Sequence, residues 1–132
     1  MSAEFVDTNV LVYFAERQET KYRRAADVLA RRPVASVQVL NEFANVARRK
    51  LRLDWSTTHE TLRLLRSLLD IRPLTEEVHE AGLLLAARYD LHIYDAMIAG
   101  AALLAKCDTL WSEDMQDGLL VAGQLRIRNP FA

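Results

Sequence analysis

The chain has 132 residues, of which 51% are hydrophobic and 27% charged, with only four Gly and three Pro. This composition excludes a disordered or collagen-like chain, and the length predicts a single globular domain over residues 1–132. The net charge is −1, from 17 basic and 18 acidic side chains. Residues 1–72 carry 13 basic and 9 acidic side chains, a net charge of +4, whereas residues 73–132 carry 4 and 9, a net charge of −5. This dipolar distribution permits a nucleic-acid partner without indicating one.

The apolar segments are too short to cross a membrane. The longest runs, 81–87 and 96–105, stop well short of the roughly 20 residues that a bilayer requires. The N-terminal stretch has no basic region ahead of an apolar run, so no signal peptide is expected. Cys107 is the only cysteine, which excludes an internal disulfide and fits a reducing compartment. These features predict a cytoplasmic protein without a membrane partner.

Strand-like and helix-like segments alternate along the chain. The first half predicts a strand at 4–7, a short helix at 10–14 and a helix at 21–32 capped by Thr20. A second strand at 34–35 and a helix at 37–50 capped by Ser36 follow. The second half predicts a helix at 56–69 capped by Ser56, a strand at 71–74 and a helix at 76–89 capped by Thr75. An apolar helix at 95–105, starting at Asp95, and two strands at 109–111 and 125–128 complete the chain. This order predicts an α/β fold with a mostly parallel, short-stranded sheet between helices. Gly100 and the alanines beside it predict close packing of the apolar helix on that sheet.

Acidic residues lie at or just after the ends of predicted strands, where parallel sheets bind ligands. Asp7 ends the first strand, Asp114 follows the fourth, and Asp95 begins the apolar helix. Glu42 borders the apolar stripe of the helix at 37–50. Each close pair of carboxylates costs on the order of 4 kcal/mol at an effective dielectric of about 20, so a cluster requires a cation or shared protons. Mg²⁺ and Mn²⁺ prefer such oxygen ligands and act on phosphates, which indicates metal-assisted hydrolysis of a phosphate ester.

Each of these acids also has a purely structural interpretation. Asp7 and Asp95 are suitable N-caps for the helices that follow them. Glu42 can pair with a basic residue of its own helix or lie in water. Asp114 and Asp117 fall in a stretch of acids ending in glycine that is typical of a turn. From these residues alone, the two interpretations remain open.

Four segments carry the four acids in order along the chain: 5–13, 41–43, 94–102 and 110–116. Their acids are separated by 35, 53 and 19 residues. Together the segments closely resemble the motifs of PIN-domain ribonucleases, particularly the VapC toxins of toxin–antitoxin modules. The resemblance spans nearly the whole chain and implies a PIN-like three-layer sandwich.

The resemblance also implies roles for individual residues. Four acids would hold Mg²⁺ or Mn²⁺ and thereby activate a water that attacks RNA: Asp7, Glu42, Asp95 and Asp114. Thr8 and Asn9 lie beside the first acid, and Ser112 lies two residues before the last, where each would orient a water or an acid. Asp117 is a candidate fifth ligand, whereas Glu113 is expected to point away. Tyr94 and two other aromatic residues, Tyr13 and Trp111, can stack on bases, but core packing is the favoured interpretation of all three.

The resemblance implies partners as well as an activity. It implies an RNA substrate, a homodimer, and a small VapB-like antitoxin that covers the acidic groove. A catalytically silent PIN scaffold that binds RNA or protein is the main alternative. A phosphatase of the haloacid dehalogenase type is disfavoured, because its second aspartate falls at the position of Asn9.

Overall fold

The computed structural model describes residues 3–132, so Met1 and Ser2, which begin the stretch predicted to lack a signal peptide, lie outside it. Six helices and six short strands lie in this part of the chain. The strands are β1 (Glu4–Val6), β2 (Val34–Ser36), β3 (Asp70–Arg72), β4 (Thr109–Trp111), β5 (Leu120–Val121) and β6 (Leu125–Arg128). The helices are α1 (Thr8–Ala15), α2 (Tyr22–Ala30), α3 (Val37–Arg49), α4 (Trp55–Leu68), α5 (Glu76–Tyr89) and α6 (Ile93–Leu104).

The strands form one sheet in the order β3-β2-β1-β4-β6-β5. All neighbouring pairs are parallel except β5 and β6, which are antiparallel. The predicted α/β fold with a mostly parallel, short-stranded sheet is therefore confirmed. Because β1, β2 and β4 are parallel, the segments that follow them begin at the same edge of the sheet.

The core lies between the central strands and the helices. Phe5 of β1, Leu110 of β4 and Ile127 of β6 are fully buried, together with Phe43 of α3 and Ile98 of α6. Burial of side chains of this size contributes roughly 1.5–3 kcal/mol each, which fixes the ends of the central strands against the helices. No helix within residues 3–132 is long and apolar enough to traverse a bilayer.

Several predicted helix starts are wrong by a few residues. Asp95 lies in the first turn of α6 and does not cap it; the cap is His92, whose Nδ1 accepts a hydrogen bond from the Tyr94 amide at 3.3 Å. Helix α4 begins at Trp55 with Asp54 as its cap rather than Ser56. Asp54 is the cap because its carboxylate accepts a hydrogen bond from the Thr57 amide, one of the free amides in the first turn of α4.

Two other caps also differ in part from expectation. The residue before α2 is Lys21, which makes no capping side-chain bond, so Thr20 does not cap this helix. Ser36 does precede α3, but its buried hydroxyl makes no hydrogen bond with residues 3–132. Thr75 caps α5 as predicted, accepting from the Val78 amide.

Gly100 allows close packing of helix on helix rather than of helix on sheet. A Cβ added at Gly100 would lie 3.0 Å from the backbone nitrogen of Gly82 in α5 and 3.3 Å from the Val78 carbonyl oxygen. Only hydrogen at Gly100 therefore permits this approach of α6 to α5. At Gly100 the close partner is therefore α5, while α6 also contacts β2 and β6 of the sheet, as predicted.

Candidate active site

Asp7 is held rigidly at the end of β1. It is the N-cap of α1, and its Oδ1 accepts a hydrogen bond from the Thr8 amide at 2.7 Å. Its Oδ2 accepts one from the Ser112 hydroxyl, also at 2.7 Å, and the Met115 amide in turn donates to Ser112 Oγ at 3.3 Å. Only 3% of Asp7 is exposed. The capping interpretation of Asp7 is thus correct, and the same bonds fix its carboxylate between the ends of β1 and β4.

Glu42 is oriented by two neighbouring side chains. The Thr8 hydroxyl donates to its Oε1 at 3.2 Å, and the Gln38 amide, one turn earlier in α3, donates to its Oε2 at 2.7 Å. Thr8 therefore connects the helix after β1 to the helix after β2. Gln38 is a positioning residue that the motif comparison did not include, although its spacing of four residues from Glu42 is the signal that indicates it.

The four acids influence one another electrostatically. The pKa of Asp7 is raised to about 6, mainly by burial and to a lesser extent by the charges of Asp95 and Glu42, despite the opposing bonds from Ser112 and Thr8. Burial also raises the pKa of Asp95; nearby His92 opposes this shift, while Asp114 and Glu42 add to it. The structure therefore brings the carboxylates of Asp7, Glu42, Asp95 and Asp114 into one acidic site.

The oxygen-rich donor set suits a hard divalent cation, although its side chains do not form a closed cage. Within residues 3–132, no three His, Cys, Asp or Glu side chains are already arranged to hold a metal ion. Mg²⁺ usually keeps several waters and binds through only one or two carboxylates, so an open arrangement does not conflict with it. Burial is the main cause of the raised pKa of Asp7, and the charges of Asp95 and Glu42 add to it; a bound cation would favour the ionised carboxylate against both effects.

A cleft of about 490 Å³ opens beside this acidic site. It is lined by Thr8, Asn9, Glu42 and Asp114, which places Asn9 at the cleft as the motif comparison implies. Lys50, just after α3, lines the same cleft. The cleft thus combines acidic oxygens, an amide and one ammonium group, a set that suits a metal-bound phosphate.

Asp117 and Glu113 each have hydrogen-bond partners outside the set of four acids. The Asp117 carboxylate accepts a hydrogen bond from the backbone amide of Asn129 at 2.9 Å. Glu113 accepts hydrogen bonds from the Tyr13 hydroxyl and the Lys21 ammonium, and Lys21 Nζ lies 4.4 Å from the centre of the Tyr13 ring. Although burial raises it, these two hydrogen bonds hold the pKa of Glu113 below its ordinary value.

A PIN domain family model matches residues 5–116, a range that contains all four acids. The chain belongs to the PIN domain family. This match confirms the resemblance inferred from the four segments, and the sandwich described above is the PIN fold. No curated protein sequence matches the chain.

The PIN domain also resembles several solved structures. A toxin–antitoxin complex from Klebsiella pneumoniae matches with a TM-score of 0.72 and 23% identity, covering 98% of both chains. VapBC2 from Rickettsia felis, bound to a promoter DNA fragment, matches with a TM-score of 0.72 and 19% identity over 96% of this chain and 98% of that one. The sarcin-ricin loop cleaving toxin VapC20 from Mycobacterium tuberculosis matches with a TM-score of 0.69 and 18% identity over 85% and 90%. At these identities, the likeness establishes a shared fold.

Proposed function

We propose that this PIN domain is a metal-dependent endoribonuclease that hydrolyses RNA phosphodiester bonds with a metal-activated water. One observation carries the proposal: four carboxylates from separate parts of the chain lie close enough to influence one another electrostatically, and none forms a salt bridge within residues 3–132. An arrangement that raises the pKa of Asp7 to about 6 weakens the fold at neutral pH. Such groups are typical of functional sites.

Asp7, Glu42, Asp95 and Asp114 would hold Mg²⁺ or Mn²⁺. The bound ion would lower the pKa of a water and stabilise negative charge on the phosphate. Ser112 keeps Asp7 in place, and Thr8 keeps Glu42 in place.

Two further residues of the cleft act on the substrate. Asn9 lines the cleft and offers an amide to a phosphate oxygen or a water. Lys50 lines the same cleft and supplies positive charge to the RNA backbone.

We also propose that the domain is the toxin of a toxin–antitoxin pair, with a small VapB-like antitoxin, a homodimeric state and a cytoplasmic location. The similar structures from Klebsiella pneumoniae and Rickettsia felis are a toxin–antitoxin complex and a VapBC2 assembly, respectively. An acidic cleft attracts a cationic side chain from a partner. Co-expression with a candidate VapB-like antitoxin, followed by size-exclusion chromatography with light scattering, tests the partner and the dimer together.

A silent scaffold is the second candidate. It is favoured by the absence, within the described part of the chain, of three ligands already placed around a metal position. In that case the acids would only bind a cationic partner, and RNA would be retained without being cut.

The deciding experiment incubates purified protein with total RNA in Mg²⁺, Mn²⁺ or EDTA and maps the new ends. We expect cuts that require the divalent ion and that fall at least about 100-fold in Asp7→Asn, because the central carboxylate is lost. Asp90→Asn is the matched control: Asp90 is exposed and has a φ of 54° at the end of α5, a conformation that Asn tolerates well.

The possible outcomes separate the candidates. Metal-dependent cuts that disappear in Asp7→Asn and persist in Asp90→Asn support the nuclease. RNA retention without cuts in any metal supports the scaffold, and cutting that is unaffected by EDTA contradicts the proposed mechanism.

A further inference from the structure

A second depression adjoins the cleft at Glu42. It has a volume of about 460 Å³, within the roughly 300–1,000 Å³ of small-ligand sites. Three amide side chains of α3 line it, together with two ring side chains at the start of α6: Gln38, Asn41, Asn45, His92 and Tyr94. We call this depression the amide lobe. It shares Glu42 with the cleft and also contains Asp95, so it adjoins the acidic site directly.

The amides form a stripe on one face of α3. Gln38, Asn41 and Asn45 are separated by three and four residues, the spacing that places side chains on one side of a helix. Within residues 3–132, no hydrogen bond engages the side chains of Asn41 and Asn45, which are both exposed; Gln38 uses only its Nε2, on Glu42. The lobe therefore offers several free donors and acceptors of neutral charge.

Tyr94 provides an aromatic surface opposite this stripe. It is 58% exposed, although it directly precedes the half-buried Asp95. Its ring centre lies 5.7 Å from that of His92, and its hydroxyl makes no hydrogen bond in the described part of the chain. The interpretation of Tyr94 as a core residue is therefore wrong, because its side chain projects into the lobe and is solvent-exposed.

The charged residues of the two depressions favour different parts of a nucleotide. Both depressions are acidic, because the cleft is lined by Glu16, Glu42 and Asp114 and the amide lobe by Glu42 and Asp95. They differ in that the cleft also contains the ammonium group of Lys50, whereas the lobe contains no Lys or Arg. A phosphate is repelled from such a lobe, but a neutral base is not, and its amino groups can donate to amide or carboxylate oxygens. Proteins recognise unpaired RNA bases by this combination of stacking on aromatic rings and bonding to base edges.

We propose that the amide lobe is a nucleobase subsite for single-stranded RNA. The base next to the scissile phosphate stacks on Tyr94, and Asn41 and Asn45 bind its edge and select among bases. This inference rests on the proposed function, because the acidic site must hold the phosphate that brings the base to the lobe.

The test measures binding separately from cleavage. Fluorescein-labelled oligo(A), oligo(C) and oligo(U) of about ten nucleotides are titrated with otherwise unmodified protein, with fluorescence anisotropy as the readout. Ca²⁺, which also prefers oxygen ligands, replaces Mg²⁺ so that the acidic site stays loaded, and gel electrophoresis verifies that the RNA remains uncut. We expect different affinities for the three RNAs. Adding Tyr94→Ala weakens binding on the order of tenfold, whereas Tyr94→Phe, which keeps the ring, changes it less than about threefold. Asn41→Ala with Asn45→Ala makes the three affinities more nearly equal.

Control variants and a parallel cleavage assay separate the two proposals. Trp55→Ala removes an exposed aromatic residue that lines neither depression and leaves binding unchanged. If unmodified protein cuts RNA but Tyr94→Ala affects neither affinity nor cleavage pattern, the subsite is overturned and the nuclease stands. If the lobe variants lose binding as expected but nothing is cut, the nuclease fails and the subsite stands. Absence of RNA binding, or an equal loss in Trp55→Ala, overturns the subsite.

Discussion

Glu113 and Asp114 are neighbours in sequence, yet their carboxylates belong to surroundings of opposite electrostatic character. Glu113 is bonded to Lys21 and Tyr13, which hold its pKa below the ordinary value despite partial burial. Asp114 faces the acidic site instead, where its charge raises the pKa of Asp95. At the centre of that site, burial raises the pKa of Asp7 to about 6.

The two surroundings have opposite effects on stability. Glu113 stabilises the folded state, whereas the acids around Asp7 destabilise it at neutral pH. Around Glu113, the chain supplies its own cation. Around Asp7, it supplies hydrogen bonds from Thr8 and Ser112 but no ion pair within residues 3–132. A buried carboxylate kept without a cation indicates that the cation comes from outside the chain.

The largest expected effect comes from neutralising Asp7 in metal-free protein. A pKa of 3.8 in the unfolded chain and about 6 in the folded one means that the folded state binds more protons between these pH values. Stability therefore falls as pH rises through this range, by about 3 kcal/mol in total. Asp7→Asn, which keeps a capping oxygen for the Thr8 amide, should be more stable than the unmodified chain above pH 6 by up to that amount.

Urea unfolding in EDTA at pH 4, 5, 6 and 8 measures this gain. We expect it to vanish near pH 4, where Asp7 is protonated in the folded protein and the substitution changes no charge there. Asp90→Asn, at an exposed site, is the control and should show no such pH dependence. A loss of stability at pH 8 in Asp7→Asn would show that the ionised carboxylate does not destabilise the folded state.

Divalent metal should remove the same destabilisation of the folded state without a mutation. A ligand that binds only the folded state stabilises it by about 2.7 kcal/mol at 100 times its Kd. We expect Mg²⁺ or Mn²⁺ at millimolar concentration to raise the thermal midpoint at pH 8 in the unmodified protein but not in Asp7→Asn. An equal rise in both proteins would place metal binding elsewhere.

Ser112→Ala should have an intermediate effect. It removes the bond to Asp7 Oδ2 and leaves a buried carboxylate with one fewer donor, at a cost of about 1–3 kcal/mol. The loss should be larger at pH 8 than at pH 4, because the bond is stronger to the ionised acid. Ser67→Ala, whose exposed hydroxyl bonds only to the Leu64 carbonyl, is the control, and equal losses in both variants would contradict the role of Ser112.

Glu113→Gln should have the smallest effect. Its partner Lys21 is partly exposed, so solvent and salt screen their interaction. We expect only a slight fall in the urea midpoint, which disappears in about 1 M NaCl. A fall as large as that of Ser112→Ala would mean that the Glu113 cluster also fixes the loop that carries Asp114.

The sequence predicts the sheet and the convergence of three of the four acids for a clear physical reason. Each of β1, β2 and β4 is a short apolar run, and in parallel strands the residues that follow must meet at one edge. Asp7, Glu42 and Asp114 follow these strands. Their convergence can therefore be inferred without knowing any distance.

Features that depend on distant pairs or very short elements could not be predicted. Strand β5 has only two residues and was missed; it joins β6 through a turn in which Ala122 and Gly123 have positive φ. The bond from Lys21 to Glu113 spans 92 residues, and no local pattern indicates it. The exposure of Tyr94 likewise depends on how α6 packs against its neighbours.

The most direct test is a crystal of the unmodified protein soaked in Mn²⁺ and measured at the manganese absorption edge. The proposal predicts an anomalous peak among the carboxylates of Asp7, Glu42, Asp95 and Asp114, which is absent from crystals of Asp7→Asn. After a soak at a saturating Mn²⁺ concentration, the absence of a peak at these four residues, or peaks only at other surface acids, would contradict the proposal.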